Sequence, residues 1–283
     1  MLKNNFISFL FIIVLVFCFF GCEEEENNND NSTTAYNCVD NDCFSQEGGQ
    51  YATLDDCLSV CDDNVDNSHS LNIQFNHLVD GEEISYGNDN LFYVNEFGNL
   101  YSVRRLLYVL SDVVLYFENE SVDLNDFIFV NTDDSETLNY NIENLPGLCS
   151  GISFRLGFSS ENNIDNEYLD SPHNFHNAMV WPNLNGTNLA FQGGYHYMKL
   201  EGKYDESFYN THTGPTNAED FSILYPVFNF TPATSISINM NVNNWYNDPI
   251  YDMSFFGSGI MDNIDAQNLL YQNGFDVFSV DTQ

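Results

Sequence analysis

The side chains able to do chemistry are few, and they fall in four segments. His77 lies in SLNIQFNHLV. His173, His176, Met179 and Trp181 lie in SPHNFHNAMVWP, His196 in GGYHYMKLEGKY, and His212 in FYNTHTGP. Imidazole with thioether is a donor set that suits copper better than calcium or magnesium, which prefer oxygen. Taken singly, each histidine is more often a satisfied structural residue than a ligand. Met179 also fits core packing, and Trp181 fits a buried aromatic anchor. Spacing alone therefore leaves copper as one option among several. No G-x-S-x-G, P-loop, H-E-x-x-H or Rossmann glycine triplet occurs. Carboxylates are so abundant that no acid–base pair can be singled out, and nothing nominates a nucleophile. The expectation is a binding protein rather than an enzyme.

The elements that must position these residues read as strands. In SLNIQFNHLV, Leu71, Ile73, Phe75, His77 and Val79 share one face. A histidine on that apolar face must be hydrogen-bonded or ligate something. GISFRLGF and TSISINMNV alternate in the same way, and His196 is in phase with Met198 and Leu200. YSVRRLLYVLSDVVLYF (101–117) is expected to hold two strands, and DFIFVN a further short one. Gly, Asn, Asp and Pro punctuate the runs. The pattern predicts an all-β fold, an antiparallel, immunoglobulin-like β-sandwich over residues 70–283. IDAQNLLYQNG reads as a short C-terminal helix starting near Asp262 or Asn263 and ending at Gly274, and FDVFSV as a last strand.

Ahead of this domain the chain reads as three pieces. Residues 1–22 carry Lys3 and an apolar run from Phe6 to Phe20, followed at once by polar EEEENNNDN. That is a secretory signal rather than a membrane span. Its end, Phe-Phe-Gly-Cys, resembles a loose bacterial lipobox, which implies cleavage before Cys22 and lipid attachment to that thiol. The following CEEEE resembles the acidic lipoprotein export tag of Bacteroidetes, and a solvated charge run explains it equally well. Residues 23–37 are acidic and Asn-rich and are predicted to be a flexible tether. Residues 38–62 hold Cys38, Cys43, Cys57 and Cys61 in the spacing C-x4-C-x13-C-x3-C. In an oxidising compartment these make two disulfides; a four-Cys zinc site is the rival, without the usual C-x-x-C knuckle. TLDDCLSVC is predicted to be helical with Thr53 as its cap, which places Cys57 and Cys61 on one face. Which partners they take is open. DDNVDN (62–67) lacks the Gly and Glu of a calcium loop and reads as linker. Cys149, left over, fits a buried inert thiol.

Charge excludes whole classes of partner. Acidic residues number 42 against 6 basic ones, for a net charge of −36. Nucleic-acid binding needs clustered Lys and Arg, and docking on an anionic lipid surface needs the same, so contact with a membrane is expected through the lipid anchor only. Such a surface draws cations and basic partners.

The segments FNHLVDGEEI, YSVRRLLYVLSDVVLY, LPGLCSGISFRLGF, AMVWP, GGYHYMKLEG and NTHTG occur in this order. Together they resemble the MbnP-like family, copper-binding proteins first tied to methanobactin operons; WYNDPIYD through IMDNIDAQNLL is similar to a Bacteroidetes branch of it. The resemblance implies an exported β-sandwich that binds one copper ion through histidines, beside a tryptophan that a di-haem peroxidase of the MauG type oxidises to kynurenine. Trp181 in Met-x-Trp matches that tryptophan, and His77 in F-x-H and His212 in H-x-G match the histidine-bearing motifs. His176 or Met179 would complete the shell. The second Trp usual after Met-x-Trp is replaced by Pro182-Asn183-Leu184, and His196 stands where an apolar residue is more common. The implied location is an outer-membrane lipoprotein, on the periplasmic side or at the cell surface. A tethered adhesive or glycan-binding sandwich without a metal is the alternative.

Overall fold

The computed structural model describes residues 34–39, 42–61, 68–184 and 188–283. The expected leader with Cys22, the tether up to residue 33 and the linker 62–67 lie outside the described residues. The chain divides into two compact units between residues 66 and 67.

In the first unit, strands β1 (Thr34–Val39) and β2 (Asp42–Glu47) form an antiparallel hairpin beside helix α1 (Leu54–Cys61). The hairpin takes the last four residues expected to be tether. Thr34–Asn37 are strand because Ala35 is buried and Tyr36 exchanges two main-chain hydrogen bonds with Tyr51. Thr53 caps α1 by accepting from the Asp56 amide at 3.0 Å. Cys57 and Cys61 are both buried on its inner face. Cys38 and Cys43 sit opposite each other across the hairpin, yet each bonds to the helix, as Cys38–Cys61 and Cys43–Cys57. The four thiols are thus consumed as disulfides and leave no zinc site.

The second unit contains, in order, β3 (His69–Val79), β4 (Glu82–Glu83), β5 (Tyr93–Val94), β6 (Leu100–Tyr116), β7 (Ser121–Asp123), β8 (Ile128–Asn131), β9 (Asn139–Leu145) and β10 (Cys149–Leu156). Then come helix α2 (Phe175–Met179), β11 (Met198–Tyr204), β12 (Ser207–Thr213), β13 (Ile223–Ala233), β14 (Ser235–Asn241), helices α3 (Met253–Phe256) and α4 (Ile264–Asn273), and β15 (Phe278–Thr282). One sheet runs β12-β11-β6-β10-β13, with β5, β7 and β8 also pairing with β6; the other runs β15-β14-β3-β4, with β9 on β3. The predicted sandwich is present, with one departure: β14 lies parallel to β3.

β6 is a single 17-residue strand, not two. Ser-Asp in its middle reads as a break, but Asp112 adopts a left-handed backbone (φ 49°) and makes a β-bulge, where the register against β10 shifts. Asp112 accepts from Arg155 Nε at 2.7 Å, and Ser111 Oγ donates to the Gly157 carbonyl at 2.7 Å. The run LLYVL has no alternation because it is covered on both faces. Leu106, Tyr108 and Leu110 join the core between the sheets. Leu107 and Val109 face outward into a second cluster with Phe129, Phe158, Phe175, Met179 and Tyr195. Asn263 caps α4, its side chain accepting from the amides of Asp265 and Ala266. Gly274 ends it in a right-handed conformation; a side chain there would strike Ile223 and Trp245, so close packing requires the glycine. No helix among the described residues is long and apolar enough to cross a membrane.

Candidate metal centre

Strand alternation decides which histidines can meet. Tyr108 pairs with Met198, and Met198 with Thr213; these three share the inner face of the large sheet. Leu107, Lys199 and His212 are the next set in register and share the outer face. His77 belongs to the inner side. It is buried on β3, its Nε2 lies 3.1 Å from the Tyr108 hydroxyl, and its ring meets Tyr86 and Tyr108 edge-on. His77 and His212 therefore face opposite sides of one sheet and do not share a shell.

On the outer face, His212 is joined by His196 and Trp181. The chain bends at Tyr197, just before β11 begins. This bend takes His196 out of phase with Met198 and Leu200 and sets its ring 5.1 Å from that of His212, edge to face. Trp181 follows α2 and packs against the His196 ring, with ring centroids 4.7 Å apart. The indole is fully buried, and its Nε1 donates to the Ala190 carbonyl at 2.9 Å. Gly214, two residues beyond His212, lies under the indole; a Cβ there would enter the ring. The H-x-G spacing thus places a bare backbone under Trp181 two residues beyond the imidazole that meets His196.

Hydrogen bonds fix how the two imidazoles are presented. The Met179 carbonyl accepts the His196 main-chain N–H at 2.7 Å and its Nδ1–H at 2.9 Å. His196 Nε2 is buried and has no hydrogen-bond partner. Such an orphaned nitrogen is uncommon in a folded interior and has to be explained. His212 Nε2 donates to Glu201 Oε1 at 2.8 Å, and Glu201 also accepts from Arg105 Nε and Nη2 at 2.6 and 3.1 Å. Lys199 Nζ donates to the Ala178 carbonyl at 2.9 Å, away from both rings. Burial pushes His196 well below the ordinary histidine range, with the neighbouring His212 adding to it. Burial also lowers His212, against the opposing bond to Glu201. Burial would raise the Glu201 carboxyl, but the bonds from His212 and Arg105 outweigh it and hold the group at about 2. Two neutral imidazoles and one carboxylate are therefore the resting state at neutral pH. His77 is likewise neutral, pushed down to about 3 by desolvation.

The other expected site residues are elsewhere. The Met179 side chain is buried in the outer apolar cluster, and its carbonyl accepts from His196. His176 is half-buried, its Nδ1 3.0 Å from the Tyr195 hydroxyl. His173 lies near the surface, 2.9 Å from Asp134, where Glu136 also approaches. Cys149 is a buried free thiol. The residues that periodicity misplaced or passed over are His196, Glu201 and Arg105. A cross-strand reading of HYMKLEG against NTHTG would have found Glu201 near His212. The bend that delivers His196 leaves no mark in the alternation.

The class is a β-sandwich in which the His196 ring meets both the His212 ring and a buried indole. The family model named MbnP matches residues 68–262, most of the second unit, and the chain belongs to the MbnP family. Among solved structures, MbnP from Methylosinus trichosporium is similar at a TM-score of 0.50 and 11% identity, over 75% of this chain and 98% of that one, a likeness of fold. No curated protein matches. The family match stops before α4, whose Gln267 donates to the His212 carbonyl at 2.8 Å and so supports the site from outside it.

Proposed function

We propose that this protein binds a copper ion through His196 and His212 beside Trp181, in an exported compartment. The observation that carries this is the buried His196 Nε2, unpaired and adjacent to a second neutral imidazole. Neutral imidazole is a ligand for copper, and it needs no proton displaced in order to bind. Copper, rather than zinc or nickel, is the choice that family membership supports. When bound, a copper ion would supply a redox-active centre held by His196 and His212. The chain's own part is to hold two lone pairs ready, exclude water with Trp181, and neutralise charge with Glu201. The role is binding, not turnover.

The finer parts of the reading belong to the same proposal. The protein is an outer-membrane lipoprotein anchored at Cys22, on the periplasmic side or at the cell surface. A di-haem peroxidase of the MauG type is its partner and converts Trp181 to kynurenine. The net charge of −36 favours both a cation and a basic partner face. The adhesive alternative has less support, since both tryptophans, Trp181 and Trp245, are buried and neither can stack on a sugar.

Competition titration of the full chain against a coloured copper chelator tests the centre. One tight equivalent is expected, lost in both His196→Ala and His212→Ala. Unchanged binding in His196→Ala would overturn the assignment. Mass spectrometry of the Trp181 peptide from the native host tests the oxidation.

A further inference from the structure

Glu201 stands behind His212 in an arrangement more constrained than pairing in a sheet requires. Its side chain is 17% exposed and accepts three hydrogen bonds, two from the Arg105 fork and one from His212 Nε2. Fork-shaped guanidinium–carboxylate pairs fix orientation as well as charge. Arg105 is steadied on its far side by Asp133 at 3.9 Å. The backbone beneath is fixed too. The register of β11 against β6 shifts between Glu201 and Gly202, and Gly202 has no room for a side chain against the Ser102 carbonyl. Lys199 shares this outer face but donates to Ala178, which leaves the carboxylate to His212 and Arg105.

An ionised carboxylate only accepts. His212 must therefore carry its proton on Nε2, which leaves Nδ1 as its lone-pair donor. The Met179 carbonyl imposes the reverse choice on His196, proton on Nδ1 and lone pair on Nε2. The two rings are thus keyed by opposite nitrogens. We propose that Glu201, locked by Arg105, is the positioning residue that fixes His212 as an Nδ1 donor to the metal. This rests on the copper reading above. A carboxylate behind a ligating imidazole sets its tautomer and raises its basicity, and removing such a partner costs about 10–100-fold in metal affinity.

The test begins without metal, so that its failure is separable from failure of the copper reading. Long-range proton–nitrogen correlation spectra of the nitrogen-15-labelled, copper-free full chain report the tautomer of each histidine ring. Wild type should show the Nε2–H form for His212 and the Nδ1–H form for His196. Glu201→Gln should lose the single tautomer at His212 and leave His196 unchanged. In chelator competition it should keep one copper equivalent with affinity lowered about 10–100-fold. Arg105→Lys keeps the charge but loses the fork; it should shift both readouts the same way by less, and it serves if Glu201→Gln fails to fold. An Nδ1–H tautomer for His212 in wild type would overturn the proposal. So would a Glu201→Gln variant with the wild-type tautomer and affinity within about twofold. If wild type shows the expected tautomers and binds no copper, the metal reading fails and the orienting role of Glu201 stands.

Discussion

His77 and His196 show how little the identity of a side chain says about its role without its neighbours. Both are buried histidines among apolar residues. His77 has the Tyr108 hydroxyl beside its Nε2, whereas His196 keeps an unpartnered Nε2 and its ring lies 5.1 Å from that of His212. The consequences of substitution should separate accordingly. His77→Ala leaves the Tyr108 hydroxyl unpaired in the core, which should cost about 1–3 kcal/mol of unfolding free energy, with copper affinity unchanged. His196→Ala should abolish tight copper binding while preserving most of the stability. Urea titration and chelator competition on the same two proteins read both effects, and loss of copper in His77→Ala would contradict the placement. The demand on His77 was legible in the sequence, because strict alternation in SLNIQFNHLV put an imidazole on an apolar face. That of His196 was not, because the bend at Tyr197 breaks the phase that periodicity relies on.

At the scale of elements, small residues decide what can be brought together. Gly214 lets β12 lie directly under the Trp181 indole. Gly214→Ala would push a methyl group into that ring, and overpacking of this kind costs about 1–3 kcal/mol. The expected signs are a lower midpoint in thermal unfolding and a shifted tryptophan emission; an unperturbed emission spectrum would show that the ring is not held there. In β6 the dipeptide Ser111-Asp112 reads as an interruption, yet Asp112 bulges the strand, and Arg155 holds the bulge. A local pattern cannot distinguish a bulge from a turn, because the difference lies in whether a partner strand continues alongside. The cysteine unit has the same character. The helix in TLDDCLSVC and its shared cysteine face were readable, but the pairing depended on how the hairpin presents Cys38 and Cys43 to that face. The bridges close separations of 23 and 14 residues. Each should contribute about 2–4 kcal/mol. Reduction under native conditions should therefore strip hydrogen-exchange protection from the amides of residues 34–39 and 42–61; retained protection would mean that the hairpin and helix are stable without their bridges.

For the whole molecule, the dominant property is charge, and it acts in two opposed ways as pH falls. Acid relieves the self-repulsion of a chain at −36, which favours the compact state. The buried imidazoles act in the other direction, and they act first. His77 titrates at about 3 in the folded protein against 6.5 when exposed, and His196 and His212 are also lowered. Below pH 6.5 the unfolded chain therefore binds more protons than the folded one, so stability present above that value is lost as pH falls toward the folded values. Each such group contributes up to about 1.4 kcal/mol per pH unit in that window. Glu201 adds a loss of the same sign below its unperturbed value of 4.5, since its folded value is about 2. Urea unfolding of the copper-free protein should give a plateau above pH 7 and a steady decline from 6.5 to 5. In His77→Gln one contributing group is removed, and the decline should become shallower. A profile flat across this window would mean that the buried rings take up protons as exposed imidazoles do, and their desolvation in the folded protein would have to be abandoned.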